Sequence, residues 1–324
     1  METTILKTKY SKILIKSEIE GITEKIQPYL YGYAMLSTED SKDNIDATVY
    51  IFQTIKNNRS IKINAQKQEI GILLEDMNRD NQLYLKRALI NLNNRILESK
   101  GVIFIHASSI SYNGNGIMFI GERGNGKTTN MLYMLNQKGI EYVANDRTGI
   151  KLNKETGKIE MLGIPSSINV RPGSIEKNST LKTKLMPVLS KKGYSELIKD
   201  TDNKSMKSRM CLTIQEIKDN LGITERPISI LQGIVFLNYD QNIEYNVANI
   251  SLEEMTKKLE EQRISGVFSG TKEIENVIEV QQLEIKDILK QQKIKTMEIT
   301  QNSDNSKKIL ENFIISKGEK DNVR

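Results

Sequence analysis

The chain reads as an α/β protein, with a smaller α+β portion before its central domain and a helical C-terminus. Two observations carry that expectation. The first is an apolar run, Asn115-Gly-Ile-Met-Phe-Ile120, that passes through the glycine-rich stretch Gly121-Glu-Arg-Gly-Asn-Gly126-Lys127-Thr128 into Thr129–Lys138. In this last segment Met131, Leu132 and Leu135 recur at helical spacing, so the order is strand, glycine loop, helix. The second is how the remaining patterns are distributed. Alternating, β-branched segments crowd the first 75 residues, and strand and helix patterns alternate after them. The expected divisions are 1–75 (an N-terminal α+β domain), 76–250 (the domain carrying the glycine loop), 251–299 (C-terminal helices) and 300–324 (a polar tail, read as partly disordered or weakly docked).

Taken in order, Thr4–Ile15 and Asp46–Ile55 are rich in β-branched and aromatic residues and read as strands, as does the alternating Ser60–Ala65. Ser17–Tyr29 is a candidate short helix, Leu30–Met35 is ambiguous and Ser37–Asn44 reads as a loop. Leu83, Leu85, Ala88, Leu89, Leu92 and Ile96 recur mostly at three- and four-residue steps, which predicts an amphipathic helix over Asn81–Ser99, ended by Lys100-Gly101. Val102–Ile105 and Ile117–Ile120 are apolar strands, with a hairpin-like turn at Tyr112–Gly116 between them. Gly139 closes the helix after the glycine loop. Ile140–Val143 is the next strand and leads into Asn145-Asp146-Arg147. Gly149–Met161 reads as a hairpin around Asn153–Gly157. Thr213-Ile-Gln-Glu216 is a capping box, in which hydroxyl and carboxylate each satisfy a free N–H at a helix start, and Gly222 is the stop. Ser229–Leu237 is a further strand, and Ser251–Ile264 and Lys272–Lys295 are expected as helices.

Composition narrows the class. Of 324 residues 38% are hydrophobic and 27% charged, enough apolar content for a packed core. One cysteine, Cys211, excludes an internal disulfide and a cysteine metal cluster. With no basic, apolar leader and no run of 18 apolar residues, a cytoplasmic protein without a membrane partner is expected. The net charge of +6 is concentrated: between Lys177 and Arg209 nine Lys or Arg stand against three acids. That window reads either as a basic loop receiving an acidic peptide or phosphorylated ligand, or as a solvated lysine-rich insertion. No zinc-finger or aromatic-basic pattern accompanies it, so nucleic acid is not an expected partner.

The stretch Gly121–Thr128 fits the phosphate-binding pattern G-x-x-x-x-G-K-[ST] at every fixed position. In such a P-loop, successive backbone N–H groups, unhindered at the glycines, turn inward around nucleotide phosphates. The candidate nucleotide-binding residues are therefore Gly121, Glu122, Arg123, Gly124, Asn125, Gly126, Lys127, Thr128 and Thr129. Lys127 would reach the β- and γ-phosphates, and the Thr128 hydroxyl would ligate Mg²⁺.

Ile105-His106-Ala107-Ser108, the turn with Gly116, the Gly121–Thr128 loop and its helix, and Val143-Ala144-Asn145-Asp146 together resemble the core of the HPr kinase and phosphoenolpyruvate carboxykinase-like superfamily. The resemblance is best over residues 84–152, continues weakly through Ile168–Gly173 and the Thr213–Gly222 helix, and does not cover the first 75 residues or the tail. It implies that family's mixed sheet with a P-loop and makes 76–250 a kinase-like domain. It also implies ATP and Mg²⁺ as cofactors, and γ-phosphoryl transfer to a hydroxyl of a peptide, protein or small molecule. Related kinases occur in clusters that make modified peptides.

Carried over residue by residue, the resemblance sets His106 near the phosphates or metal, and makes Asp146 a metal ligand with Thr128. Arg147 and Arg171 become cations for the transferring phosphate or the acceptor. One position departs. Asn145 stands where HPr kinases have the first acid of a pair, taken as the base for the acceptor hydroxyl. Either Asp146 doubles as base, or His106 or Glu122 replaces it, or transfer has been lost. The leading expectation is a kinase. The alternatives are a nucleotide-binding regulatory or scaffold protein of the same fold without phosphotransfer, and an NTPase switch. Members of the family often form oligomers, which leaves a homo-oligomer open here.

Overall fold

Period-two alternation along the first 75 residues builds a sheet with one apolar face. The structure, a computed structural model, describes residues 1–27, 34–37, 43–55, 59–164, 167–176, 178–199, 209–240, 242, 245–268, 271–280, 283–290, 294–301 and 310–314. These give a mixed α/β architecture with two compact units, 1–104 with 265–283, and 105–264 with 284–324.

The first unit contains β1 (Glu2–Lys7), β2 (Lys12–Ser17), α1 (Ile22–Ile26), β3 (Ala34–Ser37), β4 (Ala47–Gln53), β5 (Ser60–Asn64), β6 (Glu69–Leu74) and α2 (Arg79–Ser99). Its six strands run in the order β3-β1-β2-β4-β6-β5. Ile13 and Ile15, Val49 and Ile51, and Ile70 and Ile72 are buried from three adjacent strands. Two expectations change. Thr4–Ile15 is a hairpin of two strands, because the chain reverses where Thr8 N donates to Ser11 O (2.9 Å). The helix expected over Ser17–Tyr29 contracts to Ile22–Ile26: Ser17 belongs to β2, and Gly21 stands in the left-handed region (φ 66°) just before the helix. Tyr29 lies outside the described residues.

The boundary expected after residue 75 falls instead after 104, and the chain returns to this unit at 265–283. Buried amides on α2 explain the return. Asn91 Nδ2 donates to Phe268 O (3.0 Å) and Thr271 Oγ1 (2.5 Å), Phe268 N donates back to Asn91 Oδ1 (2.7 Å), and Asn94 Nδ2 donates to Gly266 O (2.7 Å). A segment without strand or long helix has its backbone polar groups satisfied by side chains. The chain leaves this unit along β7 (Ile103–Ile105).

The second unit comprises β8 (Ala107–Tyr112), β9 (Asn115–Ile120), α3 (Lys127–Leu135), β10 (Ile140–Ala144), β11 (Thr148–Leu152), β12 (Ile159–Gly163) and β13 (Ile168–Val170). There follow α4 (Pro172–Glu176), α5 (Ser179–Lys191), α6 (Ser195–Lys199), β14 (Met210–Leu212), α7 (Ile214–Leu221), β15 (Thr224–Glu225) and β16 (Ile228–Tyr239). Last come β17 (Tyr245–Ala248), α8 (Leu252–Glu261), β18 (Arg263–Ile264), α9 (Ile285–Leu289) and β19 (Lys295–Gln301). Its main sheet holds the order β15-β10-β8-β9-β16-β12-β11, with β19 also beside β16 and β17 beside β19. β9 is thus central, antiparallel to β8 and parallel to β16.

Here too the structure corrects the sequence reading. The helix expected over Lys272–Lys295 is a 3₁₀ turn (Lys272–Asn276) and the short α9, and Lys295 opens a strand. Met297 and Ile299 alternate into the core, and parallel pairing with β16 holds β19 in place. Ser108, Ser109 and Ser111 are buried on a central strand, β8, that the residue patterns did not predict. The described part of the basic window is helical: Leu181, Leu185 and Leu189 of α5 are buried while Lys182 and Lys184 face outward. Residues 177 and 200–208 of that window lie outside the described residues, as do 302–309 and 315–324 of the tail. Within the tail, 310–314 is helical with Leu310 and Ile314 buried, and Tyr133 of α3 donates to Glu311 (2.7 Å). Among the described residues no helix is long and apolar enough to cross a membrane.

Candidate functional site

The apolar β9 ends at Ile120 in the middle of the sheet, and the chain must turn sharply to start α3. Gly121 makes the departure: a Cβ there would lie 2.4 Å from the carbonyl oxygen of Leu237 on β16. Gly124 (φ 106°) and Gly126 (φ 89°) hold left-handed backbone that side chains rarely adopt. Asn125 fastens the turn from within, its Nδ2 donating to Leu237 O (2.8 Å). Glu122 and Arg123 are exposed on the loop.

Lys127 begins α3 and is only 7% exposed. Its ammonium folds beneath the loop and donates to Gly121 O (2.5 Å) and Glu122 O (3.3 Å). Burial pushes it below the usual lysine value; Asp146 pulls it back up, Arg171 pushes it further down and Glu122 raises it. His106, between β7 and β8, is also held below its ordinary value, first by burial, then by Lys127, against the opposing effect of Asp146 and a hydrogen bond with Gln262. Arg147 lowers it further. His106, Lys127, Asp146, Arg147 and Arg171, far apart in sequence, therefore sit in one electrostatic neighbourhood.

The turn after β10 supplies the next layer. Asn145 is 1% exposed, and its Oδ1 accepts from Ser108 Oγ (2.9 Å) and from Thr128 Oγ1 (3.0 Å). The residue standing where the resemblance calls for an acid is thus an acceptor that fixes two hydroxyls. Asp146 follows with φ 63°, left-handed backbone that Asp tolerates better than most residues. Strain of this kind collects at functional turns.

From the other side, Arg171 leaves β13 and approaches the loop: a Cβ built on Gly124 would sit 3.9 Å from its Nη1. Thr129, in the first turn of α3, shares a hydrogen bond with Ser174 of α4 (2.6 Å). Ser174 and Gln262 escaped the sequence reading. Neither belongs to a motif, and each is brought in by a distant element. Ser108 was visible as a motif residue, but its bond to Asn145 was not.

What assembles is a cluster of cations, Lys127, Arg147 and Arg171, around an open glycine loop, with the carboxylate of Asp146 among them. Such a set suits a polyanion. Comparison with known proteins adds no relative: no family model matches the chain, and no curated protein matches it.

Proposed function

We propose that the chain is an ATP- and Mg²⁺-dependent kinase with an HPr kinase-like fold, whose P-loop at Gly121–Thr128 holds the nucleotide. The γ-phosphoryl group would pass to a hydroxyl of a peptide, protein or small-molecule acceptor. The observation that carries the reading is Lys127, an ammonium kept buried under a glycine loop by two backbone carbonyls, with Arg171 approaching the same loop. A buried cation costs stability unless something uses its charge. On binding, Lys127 exchanges the Gly121 carbonyl for phosphate oxygens, and Arg171 meets the same anion from outside the loop.

Among the described residues no three His, Cys, Asp or Glu side chains gather as a metal site. Mg²⁺ does not require that. It keeps several waters and takes one or two protein oxygens with the substrate phosphates. Thr128 and Asp146 fit that donor set. The Thr128 hydroxyl spends its hydrogen on Asn145 Oδ1, so what it has left to offer a ligand is lone pairs. When bound, the ion would neutralise charge on the transferring group.

Asn145 cannot take a proton. His106 can, because its depressed pKa keeps the imidazole neutral at neutral pH. We therefore assign His106 as the base, with Arg147 beside it to meet the acceptor. Transfer of labelled γ-phosphate from ATP to hydroxyl-bearing peptides tests the assignment. A Lys127→Ala variant that labels acceptors as well as the parent would sink it.

The buried role of Asn145 favours one second reading, a nucleotide-binding regulatory or scaffold protein that has lost transfer. That reading predicts ATP binding by calorimetry, no labelled product, and no gain from Asn145→Asp.

A further inference from the structure

The segment that follows β13 is tied to the glycine-loop helix at both of its ends. Near the start of α3, Thr129 Oγ1 pairs with Ser174 Oγ (2.6 Å); at its C-cap, Asn136 Oδ1 accepts from Lys184 of α5 (2.7 Å). Only the first tie lies close to Arg171. The arginine's backbone is held before it by the pairing of Val170 with Met210, and after it by a turn in which Ser174 N donates to Arg171 O (3.0 Å). Pro172 and Ile175, the apolar members of that turn, are buried. The Ser174 side chain then fastens the whole turn to α3, one residue beyond Thr128.

A long guanidinium side chain loses much rotamer freedom when it must reach one spot, and a fixed backbone reduces that cost. Arg171 stands close enough to Lys127 for its charge to oppose the ammonium. Two such cations, one from inside the loop and one from outside it, are best served by an anion between them. Taking the P-loop reading as given, that anion is the terminal phosphate, the one Lys127 reaches furthest to meet.

We infer that Ser174 is a positioning residue: its hydroxyl, paired with Thr129, sets Arg171 against the terminal phosphate and so makes the site prefer a nucleoside triphosphate to a diphosphate. The inference rests on the nucleotide reading but reaches beyond it, since nucleotide binding alone requires no such preference.

Calorimetry of the full chain with Mg²⁺-ATP and Mg²⁺-ADP separates the two. Loss of one hydrogen bond and of the arginine's placement should weaken ATP about tenfold in Ser174→Ala and ADP less than about twofold. Ser174→Thr, which keeps a hydroxyl, should restore the parent ratio. Arg171→Lys, a point charge without the planar fork, should show the same ATP-selective loss and serves if Ser174→Ala does not fold. Lys184→Ala cuts the other tie and should leave the ratio unmoved. A parent chain that binds neither nucleotide overturns the P-loop reading and this inference with it. An unchanged ATP-to-ADP ratio in Ser174→Ala, or in Arg171→Lys, overturns this inference alone. So does an equal fall in both affinities, or a Lys184→Ala variant that behaves like Ser174→Ala.

Discussion

The asparagines of α2 and the lysine of the glycine loop are both polar groups taken out of water, and the fold treats them in opposite ways. Asn91, Asn93 and Asn94 are each 0% exposed, and their amides meet complementary partners in Phe268, Thr271, Ser11 and Gly266. Desolvation is offset there by hydrogen bonds in a low-dielectric setting, so the cluster specifies where the returning chain lies. Lys127 also has two acceptors, yet burial still holds its ammonium below the usual range. Nearby Arg171 works against it, and the adjoining turn stores a left-handed Asp146. A satisfied polar cluster marks stability, whereas a charge retained against its surroundings marks a place kept for something else.

The contrast breaks most visibly at Lys127. In Lys127→Met, ATP-dependent transfer should fall by about a thousandfold. The melting temperature without nucleotide should be equal to or above the parent's, because the buried charge is gone. A variant that melts lower and still transfers phosphate would reverse the comparison.

At the other pole, Asn91→Leu leaves Phe268 N and O and Thr271 Oγ1 without their amide, and should cost about 2 kcal/mol in urea unfolding. Nucleotide affinity should stay within about twofold, because the bonds lost are those to Phe268 and Thr271 and none is to a residue of the glycine loop. A neutral stability change would show that the amides merely fill space.

The pH dependence of stability is a smaller and more selective effect. His106 has its folded pKa below the ordinary 6.5, so the unfolded chain binds this proton first as pH falls. Stability is unaffected by His106 above that value and declines below it, with a slope of at most about 1.4 kcal/mol per pH unit. Unfolding curves from pH 7.5 to 5 should therefore be flatter in His106→Gln than in the parent; identical curves would remove the histidine from the buried cluster. Smallest is Ser11→Ala, which removes the buried hydroxyl that donates to Asn93 (2.5 Å) and should cost about 1 kcal/mol.

Legibility from sequence followed the range of the signal. The capping box of α7 is present with both of its bonds, and Gly222 closes that helix in the left-handed region (φ 67°), because caps are settled within four residues. The strand, glycine loop and helix at 115–135 and the long helix α2 were legible for the same reason. The serine-rich β8 was not. Serines suggest a loop unless partners such as Asn145 and Thr148 are known to wait for Ser108 and Ser109. The charged run at 272–295 matched a helix locally, and only the neighbouring β16 reveals why the chain extends from Lys295.

For the candidate site the same division holds. Gly121, Gly124, Gly126, Lys127 and Thr128 could be named from their spacing, since a turn between a buried strand and a helix restricts which residues fit each position. That His106, Asp146 and Arg171 share the field of Lys127, that Asn145 accepts two hydroxyls, and that Ser174 grips Thr129 became visible only in three dimensions. Local backbone geometry is written in neighbouring residues. Burial, field and hydrogen-bond partnership are made by chain segments that meet only after the sheet has closed.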